Sequence, residues 1–347
     1  MTRIGIVIPT HNVGPYIYEC LRSCIYNDDD CNVEIHIVND NSTDDTHSEI
    51  DRFCNDYPTV NISVYNTKGI GPGEARNLVI PNIETQYLLF VDGDDLISRR
   101  NLDAILDKMD ATGADVCCPN IIGFDDTGRY KFDFDRPVLR EKILGKKDAY
   151  LTSSRDNPEV LGLETSMCMR IFRAEFYRLN KLCFSSARFC EDIFPSRKAF
   201  LLARKVLIVR DDYYFYRLNR IAQRTAKIDN STMDLSDVFR ETMDISLERV
   251  LDNEQGGWIL NRLCEAAVWG ASLIPPQLLK EFASNLTDSF ERAPLGWWAS
   301  FDHNADVQWR QKRFSILYLK NRSRKSRERV IFNERYRFID RKVLRIE

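Results

Sequence analysis

The sequence has no apolar stretch long enough to cross a lipid bilayer. Its first ten residues hold one short apolar run, Ile4 to Ile8, which ends at Pro9 and is too short for the core of a signal peptide. No other run approaches the roughly twenty apolar residues that a membrane-spanning helix needs. These absences predict a chain that is neither exported nor inserted into a membrane, so we expect it in the cytoplasm.

Several familiar binding motifs are also missing. The ten cysteines make no paired C-x-x-C zinc pattern, and without an export signal we expect them to stay reduced. A P-loop is excluded because the one glycine-rich segment, residues 69–73, lacks the Gly-Lys-Ser/Thr ending. The four histidines are scattered and form no metal-ligand set: His11, His36, His47 and His303.

The negative charge of the chain is unevenly distributed. Residues 310–347 contain fourteen Lys or Arg and four Asp or Glu, which gives this segment a charge of +10. Because the net charge of the whole chain is −3, the remaining residues carry −13. This basic segment also has an amphipathic pattern. It fits an anionic membrane surface, a solvated helical face or a contact between subunits. No nucleic-acid recognition motif accompanies it, so we expect no nucleic-acid partner.

Hydrophobic periodicity predicts an α/β fold. Helical patterns separate short β-branched runs in the first 118 residues, as in a parallel or mixed sheet flanked by helices. From about residue 233 the periodicity is mainly helical, which indicates a C-terminal helical appendage. The length of 347 residues agrees with two domains, because single cores stop growing at roughly 250 to 300 residues. The predicted strands are residues 4–9, 33–38, 62–65, 87–91 and 116–118.

Polar residues follow three of the predicted strands directly. They are Thr10 to Asn12, Asn39 to Asp44, and Asp92 to Asp95. In an open sheet of this kind, ligands bind outside the carboxyl ends of the strands. We therefore expect these three segments to converge on one rim that holds the functional site.

The segment Asp92-Gly93-Asp94-Asp95 is the sharpest local signal. Three carboxylates in four residues repel one another, and a hard divalent cation such as Mg²⁺ or Mn²⁺ would offset that repulsion. A bound diphosphate would complete the coordination shell. The alternative is an Asp-rich turn that caps the helix after Ser98.

Two further segments suit a nucleotide. Asp40 ends the second strand, where its carboxylate can accept a hydrogen bond from a base, whereas Ser42 to Asp44 are good helix-capping residues. The glycine-rich segment from Gly69 to Gly73 lets backbone approach a ligand closely. Arg76 follows it on the first turn of a helix and can bind phosphate oxygens, although a surface ion pair explains it equally well.

These pieces, in this order, resemble the family-two glycosyltransferases, an inverting group that includes enzymes of bacterial cell-surface polysaccharide synthesis. The resemblance lies in residues 6–12, 34–44, 73–77 and 89–95, and it is close over the first 110 residues. It implies a GT-A fold: a mixed sheet flanked by helices. We expect the catalytic domain at residues 1–230, with a nucleotide-sugar half (1–118) and an acceptor half (119–230), followed by a helical region with the basic tail at 231–347.

The resemblance also implies roles for individual residues. Asp94 and Asp92 would hold Mn²⁺ or Mg²⁺. An acidic pair before a predicted helix would supply the catalytic base, Asp192, and a residue that positions hydroxyl groups, Glu191. Taken by itself, that pair is more typical of an exposed acidic helix start. The residues implied in nucleotide-sugar binding are Pro9, Thr10, Asn12, Asp40, Gly73, Arg76, Asp92, Gly93 and Arg217.

The implied reaction is transfer of a sugar, with inversion, from a nucleotide-sugar to a hydroxyl group. We expect a UDP-sugar as donor and a glycan, a polyol-phosphate or a lipid-linked molecule as acceptor, with peripheral association at the inner face of the membrane as one use of the basic tail. Two other classes stay open: a sugar-nucleotide pyrophosphorylase and a non-catalytic carbohydrate-binding or assembly protein on the same fold. A pyrophosphorylase places a phosphate-binding loop with Arg and Lys after its first strand, where this chain has Thr10-His11-Asn12.

Overall fold

The computed structural model describes residues 2–28, 30–125, 135–218 and 230–303. The basic segment 310–347 lies outside these residues. Within them the chain forms two compact units, each assembled from segments that are separate in sequence. The first unit comprises residues up to 156, 163–186 and 202–221, and the second comprises 157–162, 187–201 and the residues from 222 onward.

A nine-stranded mixed sheet forms the centre of the first unit, with the strand order β3-β2-β1-β4-β8-β6-β9-β5 and β7 paired to β9. β1 lies parallel to both β2 and β4, β2 is parallel to β3, and β6 is parallel to β9, while the other pairs are antiparallel. The strands are β1 (Ile4–Thr10), β2 (Val33–Asp40), β3 (Asn61–Thr67), β4 (Tyr87–Phe90), β5 (Leu96–Ile97), β6 (Val116–Phe124), β7 (Ala149–Thr152), β8 (Ile171–Arg173) and β9 (Val206–Arg217).

Helices flank this sheet. The central strands are apolar on both faces because both are covered: every residue of β4 is buried, as are six of the seven residues of β1. Pro15 lies in the first turn of α1, as its fixed φ favours. The helices of this unit are α1 (Gly14–Cys24), α2 (Thr46–Asp56), α3 (Pro72–Val79), α4 (Arg99–Thr112), α5 (Pro137–Leu144) and α6 (Ala174–Leu179).

The second unit is helical. A capping box at Asp252 and Gln255 starts its longest helix, α9 (Asn253–Leu273), whose residues are mostly buried. Over the described residues, none of the helices combines the length and the apolar character that crossing a bilayer requires. The other helices are α7 (Ile193–Leu202), α8 (Leu235–Glu248), α10 (Leu279–Glu291) and α11 (Leu295–His303).

The predicted fold class is confirmed: a mixed α/β sheet is flanked by helices, and further helices follow it. The compact units do not divide at residue 230, however. Segments 157–162 and 187–201 pack with the C-terminal helices although the sequence assigns them to the acceptor half. The functional division into two domains stays a prediction.

Candidate active site

The carboxyl ends of β1, β2 and β4 lie side by side in the sheet. Thr10 is the register partner of Asn39, and β4 pairs with β1 on its other side. Gly93 follows β4 and packs against the end of β1, where an added Cβ would lie 3.0 Å from the Thr10 side chain. The three polar segments therefore form the single rim that the sequence predicts.

Asp40 holds the glycine-rich loop at this rim. One carboxylate oxygen, Oδ1, accepts hydrogen bonds from the Thr67 hydroxyl (2.5 Å) and from the amides of Gly69 (2.8 Å) and Ile70 (2.7 Å). The other, Oδ2, accepts from the Gly71 amide at 2.7 Å. Gly69 and Gly71 have φ values of +84° and +90°, which a side chain would strain. The loop is thus wrapped around the carboxylate.

These contacts set the ionisation of Asp40. Burial is the largest influence and opposes the charged form, but the four hydrogen bonds together outweigh it and lower the pKa of Asp40 below its ordinary value. An ionised carboxylate therefore joins the end of β2 to the loop that begins α3.

Arg76, on α3, pairs with the first carboxylate of the acidic segment. Its guanidinium Nη2 lies 2.6 Å from Asp92 Oδ1, and its side chain is 5% exposed whereas that of Asp92 is 37% exposed. The Phe184 ring packs against the guanidinium, 4.8 Å from its centre. The Cys168 thiol donates a hydrogen bond to Asp92 Oδ1 at 3.3 Å. One face of Asp92 is thereby fixed, while the residue stays accessible to a ligand.

Asp95, the last acid of the segment, has a structural role. Its carboxylate accepts a hydrogen bond from the Tyr214 hydroxyl (2.7 Å) and another from the Arg217 backbone amide (2.7 Å). Burial, and next the charges of Asp94 and Asp92, raise the pKa of Asp95 well above its ordinary value. The cap of α4 is the Ser98 side chain, which accepts from the Asn101 amide, so none of these acids caps that helix.

Arg217 closes the rim from β9. Its Nε donates to the Asp94 backbone carbonyl at 2.9 Å, and Nη2 lies 2.7 Å from Glu19 Oε2 on α1. The rings of Tyr16 and Phe124 lie 4.9 Å and 4.6 Å from its guanidinium carbon. This buried arginine fixes the backbone of the acidic segment and brings a positive charge beside it.

The loops after β1 and β2 brace each other. The Asn12 amide donates to the Ser42 hydroxyl (3.1 Å), and the Thr43 amide donates to Asn12 Oδ1 (2.8 Å). Asp44 accepts from the first amides of two helices, Gly14 of α1 and Thr46 of α2, each at 3.0 Å. The capping interpretation of this segment is therefore right for Asp44.

Glu191 and Asp192 lie in the second unit, at the turn before α7. The Ile193 amide donates to the Cys190 carbonyl (3.1 Å), and Cys190 has a φ of +58°, which is uncommon for a residue with a side chain. The Asp192 backbone carbonyl accepts a hydrogen bond from the Ser196 amide at 3.1 Å. Their side chains are half-buried.

The acidic segment fits a divalent cation that is shared with a ligand. Asp92 and Asp94 supply hard carboxylate oxygens, and the mutual repulsion evident at Asp95 is what a cation would relieve. Over residues 2–28, 30–125, 135–218 and 230–303, no three His, Cys, Asp or Glu side chains cluster as a complete ligand set. A metal here would need oxygens from a substrate, as Mg²⁺ commonly does.

All nine predicted nucleotide-sugar residues lie in the first unit, at or next to its rim. Sequence reasoning missed Glu19, Thr67 and Cys168 as contributors, because each acts through a partner that is distant in sequence. Asp95 was part of the predicted acidic segment, but its hydrogen bonds from Tyr214 and Arg217 were not predicted. Tyr214 lies three residues before the predicted Arg217, but its hydroxyl contact with Asp95 carried no sequence signal. The predicted residues that lie at this rim are Pro9, Thr10, Asn12, Asp40, Gly73, Arg76, Asp92, Gly93, Asp94 and Arg217.

Known proteins are similar to this chain in sequence and in fold. The family model "Glycosyl transferase family 2" matches residues 5–176. Glycosyltransferase GlyG of Streptococcus pneumoniae serotype 4 is 25% identical over 253 residues, which cover 72% of this chain and 80% of GlyG. The poly(ribitol-phosphate) β-N-acetylglucosaminyltransferase TarS of Staphylococcus aureus is 25% identical over 268 residues, or 76% of this chain. The chain spans 44% of the length of TarS.

Solved structures agree on the fold. The crystal structure of residues 1–349 of S. aureus TarS in complex with UDP-GlcNAc matches with a TM-score of 0.72 and 21% identity, over 96% of this chain and 92% of that one. The corresponding complex with UDP matches with a TM-score of 0.71. Residues 5–176, which form most of the first unit with the acidic rim, therefore belong to glycosyl transferase family 2.

Proposed function

We propose that the chain transfers a sugar, with inversion, from a UDP-sugar to a hydroxyl group of a bacterial cell-surface glycan or polyol-phosphate. The observation that carries this proposal is the pairing of Arg76 with the half-exposed Asp92 next to Asp94, at the carboxyl ends of parallel strands. That arrangement combines a cation for phosphate oxygens with carboxylates for a metal, as a nucleoside diphosphate requires.

The donor is proposed from both the site and the relatives. Asp40 and its loop lie at the edge of the rim where the resemblance implies the nucleotide base. TarS is named as a β-N-acetylglucosaminyltransferase, and its structure contains UDP-GlcNAc. UDP-N-acetylglucosamine and UDP-glucose are accordingly the first donors to test.

Asp192 is the proposed general base. An ionised carboxylate within hydrogen-bond reach of the acceptor hydroxyl removes its proton as the oxygen attacks the anomeric carbon. Glu191 is proposed to orient hydroxyl groups of the bound sugars. The family match ends at residue 176, before this pair, so the assignment rests on the resemblance of the local sequence.

Asp94 and Asp92 are the residues that would hold Mn²⁺ or Mg²⁺, with the donor diphosphate completing the coordination shell. The metal would supply positive charge to the departing nucleoside diphosphate. Arg76 and Arg217 contribute to the same end, since each brings a guanidinium to the acidic segment. Activity is expected to be lost on treatment with EDTA and regained with Mn²⁺ or Mg²⁺.

For the acceptor and the cellular location, we propose classes of molecule and of site rather than a single one. The relatives named above point to cell-surface polymers, so the acceptor is a glycan, a polyol-phosphate or a lipid-linked precursor in the cytoplasm. Residues 310–347 would bring the enzyme to the inner face of the membrane or to a second subunit. The family assignment favours transfer over the pyrophosphorylase and non-catalytic alternatives.

The test is Asp192→Asn, assayed with UDP-GlcNAc and UDP-glucose and a panel of glycan and polyol-phosphate acceptors. We expect transfer to fall by about 10²-fold to 10⁴-fold, as for loss of a general base, while thermal stabilisation by the donor is retained. Asp237→Asn, which removes an exposed acid of α8, is the matched control and should leave transfer unchanged. Full transfer by Asp192→Asn with the fold intact would show that another group is the base.

A further inference from the structure

Trp269 is an unusually exposed tryptophan in the second unit. It lies on α9 and is 38% exposed, whereas Trp258 on the same helix is 1% exposed. Tryptophan has the largest apolar side chain, and leaving it in water forgoes a large hydrophobic gain. Tryptophan is enriched at binding surfaces, where one part of the indole is packed and another part is accessible, so Trp269 is a candidate contact for a ligand.

The Trp269 ring packs on the segment that carries the proposed base. Its centroid lies 4.9 Å from that of Phe189, at an interplanar angle of 37°. Phe189 is only 7% exposed, and it precedes Asp192 by three residues. Three residues span at most about 11 Å, so the backbone of Asp192 lies within that distance of Phe189, the residue on which the Trp269 ring packs.

A second contact fixes the position of the segment that carries Asp192. The backbone amide and the Nε of Arg188 both donate to Asp234 Oδ2, at 3.0 Å and 3.1 Å. Asp234 directly precedes α8, and Phe189 follows Arg188 in the chain. The acidic turn is thus attached on one side to the start of α8 and on the other to Trp269 of α9.

Polar groups accompany the ring on the surface of α9. Glu265 lies four residues before Trp269 and Arg262 lies seven before, which places all three on one face of the helix. Glu265 and Arg262 form an ion pair, and the Glu265 side chain is 28% exposed. An aromatic face beside a carboxylate can bind a sugar, because the C–H bonds of the sugar pack on the aromatic ring and its hydroxyl groups donate hydrogen bonds to the carboxylate.

We propose that Trp269 forms an acceptor subsite, in which a pyranose ring of the acceptor stacks on the exposed part of the indole and its hydroxyl groups reach Glu265. This inference rests on the proposed function, since it assumes that Asp192 accepts the proton of the acceptor. It narrows the acceptor to a glycan with a pyranose ring close to the attacking hydroxyl.

The chemistry of the surface favours a pyranose over an open-chain polyol-phosphate. A pyranose ring presents several C–H bonds on one flat face, which matches the negative face of an indole. A polyol-phosphate is an open chain that carries hydroxyl groups and negative charge along its whole length, so it offers no flat C–H face to the indole. Ribitol phosphate should therefore bind this subsite weakly.

The first experiment separates use of the donor from use of the acceptor. Trp269→Ala should raise the KM for a pyranoside acceptor by about tenfold or more, while thermal stabilisation by UDP-GlcNAc or UDP-glucose, which would bind at the rim of the first unit, is retained. Trp269→Phe should retain part of the affinity. Tyr26→Ala, which removes an exposed aromatic ring from the first unit, is the matched control and should change neither quantity.

A second variant separates stacking from support of the turn. Asp234→Asn weakens the attachment of Arg188 and leaves Trp269 in place. It should lower kcat for transfer more than it raises the acceptor KM. If Trp269→Ala instead lowers kcat with an unchanged acceptor KM, Trp269 supports the turn only and the subsite does not exist.

A direct binding measurement completes the test. Tryptophan emission of the full chain is titrated with cellobiose, N,N′-diacetylchitobiose and ribitol 5-phosphate, and the same titration of Trp269→Phe is subtracted. A change with either disaccharide that is absent with ribitol 5-phosphate supports the subsite. A response to none of the probes, or to ribitol 5-phosphate alone, overturns it.

Failure of the inference differs from failure of the proposed function. If wild type neither hydrolyses nor transfers from any UDP-sugar, the proposed function is wrong. If wild type is active and Trp269→Ala uses pyranoside acceptors with the wild-type KM, only the subsite is wrong.

Discussion

At the scale of single residues, Asp95 explains how three carboxylates coexist in four residues. Burial and the charges of Asp94 and Asp92 raise its pKa, while hydrogen bonds from the Tyr214 hydroxyl and the Arg217 amide oppose that rise. The Tyr214 oxygen also accepts the Asp92 amide at 3.1 Å. One hydroxyl group therefore connects the first and last acids of the segment. Asp95 needs this hydrogen bond because its carboxylate is removed from water.

The neighbouring tyrosines allow a matched test of this hydroxyl group. Tyr214→Phe should lower the free energy of unfolding by about 1–3 kcal/mol, because it leaves the buried Asp95 carboxylate short of a donor. Tyr213→Phe should be neutral or slightly stabilising, because the buried Tyr213 hydroxyl has no hydrogen-bond partner among the described residues. Urea unfolding of the two variants measures the difference. Equal losses of stability would contradict the assigned role of Tyr214.

At the scale of elements, the loop between β3 and α3 depends on a residue of another strand. Four donors from residues 67–71 converge on Asp40, and the loop leads directly into the helix that carries Arg76. The ionised carboxylate replaces the backbone partners that such a short, glycine-rich loop lacks. Asp40 thus contributes to the position of Arg76 at the rim.

The stability that Asp40 contributes should depend on pH. Its pKa is lowered in the folded protein, so the contribution is complete above the unfolded pKa of about 3.9 and is lost as the pH falls through the lower folded pKa. We expect Asp40→Asn to cost about 1–3 kcal/mol of unfolding free energy at pH 7, and less as the pH falls below about 4. Urea unfolding of both proteins between pH 7 and pH 3 measures this difference. A difference that is constant over that range would argue against an ionised Asp40.

At the scale of the whole molecule, the proposed catalytic residues are divided between two compact units. The donor rim belongs to the first, and the turn with Asp192 belongs to the helical second unit. The C-terminal helices are therefore more than an appendage: Asp234 and Trp269 contact the segment that contains the acidic pair. Variants of Asp234 and Trp269 should accordingly affect transfer.

The packing of that unit depends on glycines in α9. A Cβ at Gly256 would lie 2.1 Å from the Trp297 ring of α11, which forces the ring to move, whereas a Cβ at Gly270 would lie 3.0 Å from the ends of the Leu235 and Phe282 side chains. Gly256→Ala should therefore destabilise the protein by about 1–3 kcal/mol, despite a gain of about 1 kcal/mol in helix propensity. Gly270→Ala should cost less.

Thermal or urea unfolding of these two variants gives the comparison. If Gly256→Ala is as stable as wild type, the close approach of α9 and α11 is wrong. Because the two substitutions add the same methyl group to the same helix, propensity cancels between them and the difference reports packing alone.

From the amino-acid sequence alone, the fold class and the convergence of the three polar segments at one rim could be predicted. Alternating apolar runs and helical patterns are local properties, so the five predicted strands are all present. The polar segments after β1, β2 and β4 meet because the carboxyl ends of parallel strands share one edge of the sheet. Arg76, Asp92 and Asp94 could be chosen from the order of the motifs for the same reason.

The hydrogen-bond and ion-pair partners of these residues became known only from the three-dimensional structure. Tyr214 and Asp95 are 119 positions apart, and Arg217 and Glu19 are 198 apart, so no local pattern joins them. The same holds for the acidic turn, whose segment packs with helices that start more than forty residues later. Periodicity reports which face of an element is buried, whereas the partner of a buried polar group depends on how distant elements pack together.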